Sequence, residues 1–191
     1  MNKLGLALLF WIALGLELSL RPALSLGTTA ISPSFVLCVL TLVAMFAPPT
    51  AVRWTALLAG LSVDLLSTLP IVNASSDSRI IGPTALAFLL AAQLVLSVRS
   101  IMVRRNPLTL GALSLIAGLA VAIALVFIFT LRSWMFDPLA WSVPRELLTR
   151  GGSAVYTGVL GALLAFALLP LAPMLGLKIE SNMMAGRAAK Y

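Results

Sequence analysis

The chain has no histidine, a single cysteine and few charges. Among 191 residues there are 13 Lys and Arg and 6 Asp and Glu, so only 10% of the chain is charged. The lack of histidine excludes H-E-x-x-H zinc hydrolysis and Ser-His-Asp chemistry. Cys38, alone in an apolar run, has no intrachain disulfide partner and cannot build a cysteine metal cluster. Neither a G-x-S-x-G elbow nor a phosphate-binding G-x-x-x-x-G-K-[ST] loop occurs. Metal-dependent lipid transferases want two aspartates close together, and here Asp64 and Asp77 stand thirteen apart. The chain reads as non-enzymatic, with no cofactor and no metal.

Apolar residue is what the chain has in abundance. It is 61% hydrophobic, with a mean hydropathy of +1.09. A soluble domain is nearer 45–50% apolar and about 25% charged. The sequence therefore reads as an all-α polytopic membrane protein. Six apolar runs approach or reach the ~17–25 residues a crossing helix needs. They cover about 4–20, 31–47, 54–72, 83–98, 108–131 and 153–177. Breaks fall at Arg21-Pro22, Pro48-Pro49, Asn73 to Asp77, Arg104 to Pro107 and Gly151-Gly152. The spans leave room for one membrane domain over 1–191, ending in a short basic tail at 178–191. Alternating segments of a β-barrel are absent.

The net charge of +7 and pI near 10.8 do not indicate nucleic acid, because the basic residues stand singly or in pairs at span ends. With the N-terminus inside, the inner segments hold Lys3, Arg53, Arg99, Arg104, Arg105, Lys178, Arg187 and Lys190. The outer ones hold Arg21, Arg79, Arg132, Arg145 and Arg150. This bias places both termini in the cytoplasm. The first run also has signal-peptide character, with Ala23-Leu24-Ser25 as a weak cleavage site. Trp11 inside the run and Glu17 and Arg21 at its end fit a retained span better. In the loop 132–152, Trp134, Phe136 and Trp141 are headgroup anchors. Ser142 and Pro144 start a brief surface helix at about Val143–Arg150, a connector rather than a partner-binding element. Ser153 is read as the cap of the next helix.

Asp64 is the most informative residue. It lies mid-run, where a carboxylate costs about 2.5–3.5 kcal/mol on insertion scales. Leu57, Gly60, Asp64 and Ser67 share one small, polar helical face, and Gly60 admits a close neighbour one turn away. Asp64 is therefore a packing device held by donors on other helices, a partner-docking device, or a proton or cation site. Ion paths usually carry several ionisable groups, which favours the first two. Glu17 and Arg21, four apart, suit a local ion pair. Gln93 is placed to hydrogen-bond between helices. Small-residue stripes (Gly111, Ser114, Gly118 and Ala122; Ala154, Gly158, Ala162 and Ala165, with Gly161 beside them) suit packing between the fifth and sixth spans. Pro170 and Pro173 should kink the last helix or end it early.

The run Ala59-Gly60-Leu61-Ser62-Val63-Asp64-Leu65-Leu66-Ser67, followed by Pro70, resembles the segment that marks the bacterial rod shape-determining protein MreD family. Its members carry Gly-Leu-x-x-Asp-Leu-Leu-Ser with a proline shortly after. Pro33 before the second span, Gly82-Pro83-Thr84-Ala85-Leu86 entering the fourth, and the Arg-rich loop after it agree. The family's glycine two residues beyond the proline is missing, and Gly82 stands as its displaced counterpart after a polar insert.

The resemblance implies a non-catalytic scaffold of the cell-wall elongation complex in the cytoplasmic membrane, supporting rod shape and lateral peptidoglycan synthesis. It implies partners of the MreC, actin-like MreB, RodA and penicillin-binding-protein classes, and docking or packing roles for Gly60, Asp64, Leu65, Leu66, Ser67, Pro70, Gly82, Pro83 and Gln93. It also implies a six-helix fold similar to the substrate-binding subunits of energy-coupling-factor vitamin transporters. The alternative function is such a subunit, capturing a small molecule from outside. That function needs a cavity with several convergent polar groups. The sequence offers few: Asp64, Ser67, Thr68, Gln93 and loop residues from Asn73 to Arg79.

Overall fold

A computed structural model describes residues 3–27, 29–66, 81–101, 106–135, 143–172 and 175–176. The described residues form six α-helices and no strand: α1 Lys3–Leu20, α2 Phe35–Phe46, α3 Pro49–Leu66, α4 Pro83–Val98, α5 Pro107–Met135 and α6 Val143–Leu171. Two of them, α5 and α6, are long and apolar enough to cross a membrane.

α2 is the centre of the molecule. It has 12 residues, FVLCVLTLVAMF, and those from Phe35 to Met45 are all buried. A helix that is apolar all round has no face for water and must be enclosed. α1, α3, α4, α5 and α6 all pack on it. Sequence neighbours α3 and α4, α4 and α5, and α5 and α6 also pack on one another. α1 lays only a narrow stripe on this assembly. Leu6, Ala13 and Glu17 are buried, while Leu4, Leu8 and Trp11 stand exposed.

α5 and α6 approach closely because their facing residues are small. A Cβ on Gly111 would stand 2.8 Å from the Ala162 Cβ, and one on Gly118 would stand 2.9 Å from the Ala154 Cβ. A Cβ on Gly161 would meet the Ser114 Oγ at 2.7 Å. The two small-residue stripes thus face each other within the chain.

Several boundaries differ from the sequence expectation. α2 begins at Phe35 rather than 31. Proline holds the residue before it out of the helical region, and Ser34 then caps the helix, its Oγ accepting the Leu37 N–H at 3.2 Å. α3 begins at Pro49 rather than Trp54, because proline suits the first helical position and the Pro48 carbonyl accepts the Val52 N–H.

The largest correction concerns α6. Val143–Arg150 is not a separate surface helix, and Ser153 is not a cap. α6 runs unbroken through Gly151-Gly152. A glycine inside a helix costs only about 1 kcal/mol, and packing offsets it: a Cβ on Gly152 would press on the Ile31 side chain at 3.0 Å. The helix stops at Leu171, just past Pro170 and short of 177. The end of the third span, residues 67–80 with Ser67 and Pro70 among them, lies outside the described residues, as do Trp141 and the tail.

At 12 residues α2 is about 18 Å long, so its ends fall inside the protein. Its last carbonyls have no helical partner and need one. Arg99, just beyond α4, supplies it. Its Nη1 donates to the Ala44 carbonyl at 2.8 Å and the Ala47 carbonyl at 2.7 Å. Hydrogen bonds to a charged group contribute about 1.5–3 kcal/mol. Arg99→Gln should therefore lower stability by about 2 kcal/mol, read as a fall in the thermal midpoint of the purified chain. An unchanged midpoint would show that α2 needs no cap from α4.

Candidate functional site

The opposite end of α2 is where the polar residues gather. α1 and α3 finish there, and α2 and α4 begin. The first four N–H groups of any helix lack intrahelical acceptors, and the peptide dipoles sum to about half a positive charge at that end. Both α2 and α4 receive a carboxylate from the helix before them.

Glu17 on α1 serves α2. It is 8% exposed, and its Oε2 accepts the Ser34 hydroxyl at 3.1 Å and the Val36 N–H at 3.1 Å. Arg21 lies close enough for its charge to act on this carboxylate, although no contact of salt-bridge length joins the two. The Arg21 Nε instead donates to the Ser32 Oγ at 3.1 Å. A four-residue spacing on a helix permits that pair, but the orphan donors of α2 hold the carboxylate, and the guanidinium turns to the segment preceding α2.

Asp64 on α3 serves α4. It is 4% exposed. Its Oδ2 accepts the N–H groups of Gly82 at 2.8 Å, Thr84 at 3.2 Å and Ala85 at 3.3 Å, and Oδ1 accepts Thr84 again at 3.2 Å. Two glycines make this fit possible. A Cβ on Gly60 would fall on the Ala85 Cα and lie 2.8 Å from both the Ala85 nitrogen and the Thr84 oxygen. Gly82, the N-cap, has φ 122°, a conformation that side-chain-bearing residues avoid. Pro83, next in line, has no N–H to satisfy and takes the first helical position. Gly60, Asp64, Gly82 and Pro83 thus meet at one joint.

The remaining predicted residues lie apart from this joint. Leu65 and Leu66 point outward, 45% and 50% exposed. Gln93 does bond between helices, accepting from the Arg53 Nε at 3.4 Å, but on an exposed face. Ser67 and Pro70 lie outside the described residues.

The residues that sequence reasoning missed are hydroxyls. Ser32, Pro33 and Ser34 lead into α2 outside the helix, so the N–H groups of Ser32 and Ser34 find no helical acceptor. α6 provides them: the Ser153 Oγ accepts the Ser32 N–H at 3.2 Å and the Thr157 Oγ1 accepts the Ser34 N–H at 3.0 Å. Each hydroxyl in turn donates to the carbonyl four residues back. Thr149, Ser153 and Thr157 form a stripe at i, i+4, i+8, a pattern visible in the sequence. Deeper in the core, Thr41 and Ser114 share a bond of 2.8 Å, and the Cys38 thiol lies 3.6 Å from the Thr157 carbonyl.

These groups border a cavity of about 270 Å³. Its polar wall includes Glu17, Arg21, Ser34, Asp64, Thr84 and Thr157, with Glu146 and Arg150 from the first turns of α6. The Arg150 Nε pairs with the Glu146 Oε2 at 3.2 Å, and its guanidinium stands over the Phe129 ring at 6.0 Å. The apolar wall is Phe88, Val121, Leu125 and Phe129. The expectation of few convergent polar groups is overturned, because they converge from α1, α3, α4 and α6 and from the segment before α2. No three potential metal ligands gather among the described residues.

Removing the acceptor from Asp64 leaves three N–H groups without a partner, and each such buried group costs about 1–3 kcal/mol. We expect Asp64→Ala to destabilise the chain by at least about 2 kcal/mol. Asp64→Asn, which keeps one acceptor oxygen at an N-cap, should cost about half as much. Equal midpoints for the two variants would rule out capping as the role of this carboxylate. Gly60→Ala should match or exceed Asp64→Ala, since its Cβ meets backbone, and an unperturbed Gly60→Ala variant would contradict the close approach. No family model, no curated protein and no solved structure matches this chain.

Proposed function

We propose that the protein is a non-catalytic scaffold of the bacterial cell-wall elongation machinery, a six-span protein of the cytoplasmic membrane with both termini in the cytoplasm. The observation that carries this reading is the joint at Asp64. In the run that resembles the MreD marker, the carboxylate is spent on the backbone of α4. A side chain so engaged fixes the angle between two helices. It explains why a motif pairs glycine and aspartate one turn apart without any reaction to perform.

The short helices support the membrane reading. α2 and α4, with 12 and 16 residues, are about 18 and 24 Å long, less than the ~30 Å hydrocarbon core. Backbone groups exposed at that depth must be satisfied within the protein, which is what Glu17, Asp64 and Arg99 do. Exposed Leu65, Leu66, Trp11 and Trp54 then face lipid or partner helices of the MreC and RodA classes. A fold similar to energy-coupling-factor substrate-binding subunits fits a central helix with lateral neighbours.

The cavity favours a second reading, a substrate-binding membrane subunit that captures a small molecule at its outer face. The two readings part in a pull-down of the tagged, full chain from detergent-solubilised native membranes. We expect the single-span MreC-like protein and the RodA–penicillin-binding-protein pair to be recovered, and cells carrying Asp64→Ala to lose regular rod shape. Recovery of an ATPase module instead, with normal shape in that variant, would replace the scaffold by the transport subunit.

A further inference from the structure

The cavity at the Asp64 end has uses that capping leaves unfilled. The terminal nitrogens of Arg21 make no hydrogen bond to any described residue; only its Nε is engaged. The Thr84 hydroxyl likewise has no partner among the described residues, although its backbone N–H is bound to Asp64. The Asp64 Oδ1 accepts one long bond where Oδ2 accepts three. A donor cluster and an acceptor cluster therefore border the same space, and an apolar wall of Phe88, Leu125 and Phe129 lines it as well.

The charge of this space is close to balanced. Glu17, Asp64 and Glu146 face Arg21 and Arg150, and two helix N-termini add about half a positive charge each. A ligand with net charge of either sign would leave an uncompensated charge in a site of low dielectric. A dipolar molecule would not. A second, smaller hollow of about 120 Å³ adjoins it between α1 and α3, lined by Leu14, Leu18, Val63 and Leu66, and shares Glu17 and Arg21 with the main cavity. Apart from those two charged residues its lining is apolar.

We propose that this cavity binds a small zwitterionic group with a compact apolar body, its anionic end on the Arg21 guanidinium and its cationic end at Asp64 Oδ1 and the Thr84 hydroxyl. At about 270 Å³ the space lies just below the 300–1,000 Å³ usual for ligand pockets, which suits a molecule of amino-acid size. The same chemistry is offered by a free zwitterion and by a zwitterionic lipid headgroup. The site does not depend on whether the protein scaffolds or transports.

Thermal midpoints of the purified full chain test it, since a ligand that binds only the folded state raises the midpoint with concentration. In phosphatidylglycerol nanodiscs the probes are L-phenylalanine, 2-phenylethylamine and 3-phenylpropanoate. A second set of nanodiscs contains phosphatidylethanolamine. The expected result is a dose-dependent rise with L-phenylalanine, at least tenfold weaker with either singly charged analogue, or a higher midpoint in phosphatidylethanolamine. The first outcome marks a free ligand and the second a lipid. Whichever response is seen should weaken at least tenfold in Arg21→Gln and persist in Arg53→Gln at the other end of the bundle. A singly charged analogue binding as well as L-phenylalanine would overturn the zwitterion. No response to either source, or a response indifferent to Arg21→Gln, would overturn the site. Both measurements use the isolated chain, so their failure is separate from any failure to recover elongation partners.

Discussion

The structure depends on ending helices inside the protein. A helix that stops within a packed interior leaves four N–H groups at one end and four carbonyls at the other, and each unpaired one is costly. This chain resolves the problem with its rare charged residues. Glu17 takes the start of α2, Arg99 its end, and Asp64 the start of α4. In each case the charge has the sign that the helix dipole favours. Each cap also comes from a different helix, so satisfying the backbone and fixing the tertiary arrangement are the same act.

That coupling explains the roles of the small residues. A cap works only if the two helices approach within hydrogen-bonding reach. Gly60 removes the side chain that would hold α4 away, and Gly82 supplies the turn that directs its N–H at the carboxylate. Along α5 and α6, Gly111, Gly118, Gly158 and Gly161 serve the packing of the two helices on each other. The same residue type thus has two uses, and at the Asp64 joint it stands beside a buried carboxyl group.

The two ends of the bundle differ in kind. At the Arg99 end, one guanidinium closes α2 with two short bonds. At the Asp64 end, carboxylates, guanidiniums and hydroxyls from several helices surround a hollow. A scaffold needs the first kind of end. The second is more polar than a packing role requires, and for that reason it carries both the alternative reading of the protein and the ligand proposed for it.

The sequence by itself determined the helical class, most helix positions, and the weight of Asp64 and Gly60. These follow from composition and from a 3.6-residue period, which are local. It brought Glu17 and Arg21 together but not Glu17 and the start of α2, because spacing reports which side chains can meet on one helix and not which donor on another helix also competes for the carboxylate. It split α6 at Gly151-Gly152, because helix propensity is weak and the packing of Ile31 on Gly152 lies 121 residues away in sequence. Only the tertiary structure decided that Ser32, Ser34, Ser153 and Thr157 meet, that Arg99 closes α2, and that a polar cavity exists. Those facts are set by which helix ends come together, and burial of backbone N–H and C=O groups, rather than any sequence pattern, selects the partners.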